Sequence, residues 1–190
     1  YSAGSKIKGS KNTIIGYNAG NSESEINVDD SVFVGYGVGE NLNTEKSTIV
    51  GYNAGSSLNN SGTINNTFFG YNVGGTEGNL NTYMGTNTAN NSTGSYNVAL
   101  GHNAGKDSQI QRSSIANCDY NVYIGYNAGS SCEGYMNVNM GYHSGSNLEG
   151  SNNIVLGYNA GKDSIGSSNV FIGENAGKNS KPNGTFPRND

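Results

Sequence analysis

The chain has 190 residues and a formal net charge of −4, and Asn (33), Gly (30) and Ser (24) together fill 87 of its positions. Leu, Ile, Val and Phe number only 34, below the roughly 20% expected of an ordinary globular core, yet charged residues are 13%, too few for a self-repelling disordered chain. No basic face is available to neutralise phosphates, so nucleic acid is not expected as a partner. No apolar run approaches the roughly 18 residues that span a bilayer, so this segment is not expected to insert in a membrane.

Order along the chain replaces bulk hydrophobicity. After a lead-in or cap over 1–11, the motif Asn/Ser-x-x-apolar-Gly-Tyr-Asn-Ala-Gly recurs ten times, with its first glycine at Gly16, Gly35, Gly51, Gly70, Gly85, Gly101, Gly125, Gly141, Gly157 and Gly173. The spacings are 19, 16, 19, 15, 16, 24, 16, 16 and 16, a 16-residue period with insertions and one deletion. With that glycine as slot 0, slot −3 is β-branched in all ten repeats and slot −1 is apolar in all ten. Two apolar slots one residue apart are the period-two mark of a strand. A 16-residue unit is too short for a helix pair. The fold class is therefore all-β, a parallel β-solenoid of ten coils over 12–180, followed by an irregular tail over 181–190.

In chain order the strands are predicted at 12–15, 31–34, 47–50, 66–69, 81–84, 97–100, 121–124, 137–140, 153–156 and 169–172. At about 4.8 Å per coil they stack to about 45–50 Å. Slot −4 is Asn in eight repeats and Ser at Ser31 and Ser47, an amide column able to hydrogen-bond along the stack. Slot +3 is mostly Ala, which suits a thin coil. Slot +4 is Gly in nine repeats and Ala89 in the other, so Ala89 marks the weak corner.

Taking slots −3 and −1 as inward places slot −2 outward. That slot carries Ile14, Phe33, Ile49, Phe68, Tyr123, Val155 and Phe171. An outward apolar stripe predicts association, and one stripe per chain closing around an axis suits a trimer. The alternative is that slot −2 packs under a loop of its own chain.

Repeats such as Asn121-Val122-Tyr123-Ile124-Gly125-Tyr126-Asn127-Ala128-Gly129 and Asn97-Val98-Ala99-Leu100-Gly101-His102-Asn103-Ala104-Gly105 resemble those in the heads of trimeric autotransporter adhesins and in viral tail fibres. The resemblance implies a left-handed parallel β-roll, a homotrimer, and attachment to a host surface. It also implies an extracellular setting, at a cell surface or on a virion fibre, within a longer chain.

Chemistry is sparse. His102 and His143 fall in different slots of non-adjacent repeats and do not have zinc-site spacing, and the acidic residues are scattered. No cofactor, metal or enzymatic activity is expected. Cys118 and Cys132 lie seven residues either side of Gly125. In a regular stack they would be about 8 Å apart, beyond the usual disulfide limit of about 7 Å. The insertion before Cys118 could bring them closer, so a disulfide stays open. Tyr17, Tyr36, Tyr52, Tyr71, Tyr126, Tyr142 and Tyr158 form a surface ladder at slot +1, broken by Thr86, His102 and Glu174. It is read either as a contact surface or as structural stacking. The longest insertion, in the span 106–120, carries Gln109, Gln111, Arg112, Ser113, Ser114 and Asn117, polar groups suited to a glycan or protein receptor. The function expected is thus an attachment fibre or adhesin head. A structural spacer and an ice-binding solenoid are the competing readings, the second weakened by the breaks in the tyrosine column.

Overall fold

The computed structural model describes residues 1–56, 63–74, 78–108 and 118–181. They form an all-β parallel solenoid of about nine turns. The strands are β1 (Ile7–Lys8), β2 (Thr13–Ile15), β3 (Ile26–Asp29), β4 (Val32–Tyr36), β5 (Thr44–Glu45), β6 (Thr48–Tyr52), β7 (Thr63–Ile64), β8 (Thr67–Tyr71), β9 (Thr82–Thr86), β10 (Val98–His102), β11 (Val122–Ile124), β12 (Val138–Met140), β13 (Ile154–Leu156) and β14 (Val170–Ile172). Ten of them make one parallel sheet running from β2 to β14 along the stack, each on a predicted segment. The remaining four, β1, β3, β5 and β7, pair into a second parallel sheet in the first coils, which the repeat pattern does not announce. In the later coils that wall thins to the isolated bridges Glu133 to Glu149 and Glu149 to Ile165.

Register is like on like throughout. Val98 pairs with Val122 across 24 residues, and Thr67 with Thr82 across 15. A slip by one residue would turn every side chain to the wrong face, so length changes are absorbed between strands. The first residues already belong to the stack: Tyr1 packs on Tyr17, and Gly4 N–H donates to the Ala19 carbonyl at 2.8 Å.

The corners account for much of the Asn content. Among the described residues, 14 of the 29 non-glycine residues with positive φ are Asn, including Asn18, Asn53, Asn103, Asn127 and Asn159 at slot +2. Asn tolerates this left-handed region because its short amide can bond locally. The slot-0 glycine is required for a different reason. Gly35 has φ +140, and a Cβ there would lie 1.8 Å from the Gly51 carbonyl oxygen of the next coil.

A further eight Asn form the amide ladder, as expected from slot −4. From Asn12 to Asn153 each Asn of the ladder accepts a backbone N–H of the next coil through Oδ1, as Asn97 does from Asn121 at 2.8 Å, while its Nδ2 donates to a carbonyl of that coil, as Asn97 does to Cys118 at 2.7 Å. Ser31 and Ser47 carry the column with one hydroxyl each, accepting from Ser47 N and Asn66 N.

The orientation of the strands reverses the sequence expectation. Slot −2 faces the inside of the coil: Phe33, Ile49, Phe68 and Val155 are fully buried, Tyr123 nearly so, and Ile14 and Phe171 pack partly buried at the two ends of the core. These seven residues are the interior of a single chain and not an exposed interface stripe. The physical reason is parity. The amide ladder at slot −4 must be buried, because its bonds run through the coil interior, and side chains two residues apart share a face. Slot −2 therefore goes inward with it, against the small slot +3 column of Ala19, Val38, Ala54, Ala104, Ala128 and Ala160. Slots −3 and −1 go outward.

Candidate interaction surface

The outward face of the ten-stranded sheet is mostly apolar: slot −1 is apolar in all ten repeats, and slot −3 is Val or Ile in six and Thr in four. Slot −1 exposes Ile15 (59%), Met84 (50%) and Ile172 (65%), with Phe69 and Met140 also open, and slot −3 exposes Ile154 and Val170 (63%). Slots −4 to +4 of the ten repeats cover 90 positions with one charged residue, Glu174; the other 23 of the 24 charged residues (10 Lys and Arg plus 14 Asp and Glu) lie elsewhere. A soluble chain seldom keeps an uncharged apolar face of this length open to water. The sequence contained this face, but the inward assignment of slots −3 and −1 concealed it.

Beside it runs the tyrosine ladder, which is exposed and stacked as the slot +1 pattern suggests. Tyr17, Tyr36, Tyr52 and Tyr71 are separated by 4.9 to 5.2 Å between ring centroids, with interplanar angles of 5 to 12°. A second run joins His102, Tyr126, Tyr142 and Tyr158 at 5.1 to 5.2 Å. His102 therefore continues the ladder and does not break it. Rings stacked in this way hide their faces against one another and present edges and hydroxyls to solvent. Tyr1 extends the first run to five rings. The signal for it was the opening Tyr1-Ser2-Ala3-Gly4, which repeats slots +1 to +4. Tyr96 and Tyr120 form a separate stacked pair at 4.6 Å on another corner.

Cys118 and Cys132 are both buried free thiols. Cys118 Sγ lies 3.8 Å from the Cys132 carbonyl oxygen, and Cys132 Sγ receives the Asn139 amide at 3.8 Å. Burial pushes the Cys132 thiol up to about 12, with the neighbouring Cys118 adding to the shift. Such thiols stay protonated and are poor nucleophiles. His143 sits edge-on to Tyr142 at 4.5 Å, and desolvation lowers its pKa. Among the described residues, no group of three or more His, Cys, Asp or Glu is placed to hold a metal ion, and no helix is long and apolar enough to cross a membrane. The receptor candidates Gln109, Gln111, Arg112, Ser113, Ser114 and Asn117 lie outside the described residues.

The chain matches no family model, no curated protein and no solved structure at a significant level.

Proposed function

We propose that this chain is a rigid module of an extracellular attachment fibre or adhesin head, assembling as a homotrimer and carrying loops that meet a cell-surface glycan or protein. The observation that carries this reading is the uncharged, apolar outward face of slots −3 and −1, which calls for burial against other copies along the whole rod. Register that survives every change of coil length supports the second half of the reading, because the sheet then acts as a fixed support for variable edges.

Two experiments test it. Light scattering on the whole chain should report three copies, and the triple variant Met84→Lys, Met140→Lys, Ile154→Lys should fall to a monomer with its β-sheet circular dichroism retained. A monomeric parent would remove the assembly. Deleting residues 109–116 restores a 16-residue spacing while keeping the buried Ser108 hydroxyl on the Gly129 carbonyl at 2.7 Å. That variant should fold and lose attachment to host cells; undiminished attachment would favour a spacer.

A further inference from the structure

The tyrosine ladder has one missing rung, and we propose that the notch it leaves is a binding site for a single planar aromatic ring. At slot +1 the fifth coil carries Thr86, register-paired with Tyr71 on one side and His102 on the other. Tyr71 stacks on Tyr52 at 5.2 Å, and His102 on Tyr126 at 5.1 Å, so each uses one ring face within its own run and turns the other toward Thr86. Among the described residues no ring contact joins Tyr71 to His102. The two rings stand two strand spacings apart, roughly 9.6 Å. A planar ring placed midway would lie about 4.8 Å from each, inside the centroid range of favourable offset stacking.

The floor fits the same occupant. Thr86 reaches only as far as its methyl and hydroxyl, so the outer parts of both ring faces stay open above it. Thr86 is exposed, so the space between the two rings is reached from solvent. No Lys, Arg, Asp or Glu occurs in slots −4 to +4 of these three coils, so the ligand is a neutral aryl group, such as the phenol or indole of a partner's side chain. Elsewhere among the described residues of the ladder each ring lies between two rungs, except Tyr1 and Tyr158 at the ends, which stack on one ring each and offer a single wall, so a two-walled notch is confined to this coil.

The test uses the whole chain and two probes, p-cresol and indole, followed by proton NMR. Saturable upfield shifts are expected for the ring protons of Tyr71 and His102, with the tyrosines of the first coils unmoved. Thr86→Tyr installs the residue found at slot +1 in seven coils, so it should fold normally, complete the ladder and abolish the saturable shift. Tyr71→Thr and His102→Thr each remove one wall and should weaken binding about tenfold. Binding that survives Thr86→Tyr undiminished, or no saturable shift in the parent, overturns the proposal. So does methyl β-glucopyranoside moving the same protons when p-cresol does not, since the notch would then take a sugar. None of these readouts depends on how many copies assemble or on attachment to cells.

Discussion

The backbone N–H of Asn137 donates to Oδ1 of Asn121 at 2.9 Å, and the same Asn121 donates through Nδ2 to the Gly134 carbonyl at 3.1 Å. One buried side chain thus satisfies a donor and an acceptor of the next coil. Asn121→Ala should cost about 2–4 kcal/mol, because both groups are left buried without partners. Asn121→Ser should cost about half as much, since Ser31 and Ser47 show that a hydroxyl keeps the N–H bond. Urea unfolding of the two variants measures the difference, and equal losses would show that the amide's second bond contributes nothing.

Gly35→Ala sets a Cβ 1.8 Å from a backbone oxygen at a φ of +140. No rotamer relieves a clash with main chain, so the coils must part there. The variant should fail to fold as one unit. Hydrogen exchange should find the first two coils unprotected while the later ones, which contact only their neighbours, keep their protection.

Phe68 is fully buried and stacks on Tyr83 at 5.1 Å. Phe68→Ala should lose about 3–5 kcal/mol. Phe68→Asp should unfold the chain at any protein concentration, because the change falls in the core of each copy. A folded, dissociated chain carrying Phe68→Asp would return slot −2 to an interface.

Alkaline pH should destabilise the protein through its buried acids. Burial raises Cys132 from 9.0 to about 12 and raises Tyr83 and Tyr123 as well. The folded chain therefore holds these protons where the unfolded chain releases them. Their contribution to stability is complete below the unfolded pKa and is lost as pH rises through the folded one. The urea midpoint should fall between about pH 9 and pH 12, and Cys132→Ala should make that fall shallower. A midpoint independent of pH across this window would mean that these groups are hydrated in the folded state.

The strands, their like-on-like stacking, the amide column and the exposed tyrosines were all readable in the sequence, because each is a column fixed by the 16-residue period. The facing of the strands was misread. Val, Ile and Thr at slot −3 look like core residues, and only the parity of slot −3 against the buried Asn column reveals that they point outward. Here hydrophobicity marks two surfaces, the core and the open face, and cannot rank them. The second sheet was hidden for a different reason. The column of Val28, Thr44 and Thr63 has no constant residue type in the later coils, where Gly94, Cys118, Gly134 and Gly150 occupy the same wall. The notch was visible as Thr86 in a tyrosine column, but its depth depends on ring planes that letters do not carry.

A register that holds across spacings from 15 to 24 residues makes the rod a ruler. Whatever leaves the sheet at one coil edge stands a whole number of strand spacings from whatever leaves at another, in steps of about 4.8 Å. Peptides grafted between β8 and β9 and between β10 and β11 would have anchor points at a fixed separation along the axis whatever their lengths, since strands β8 to β11 pair without slippage. A multivalent target with fixed spacing could then be matched by choosing coils, with no linker to tune.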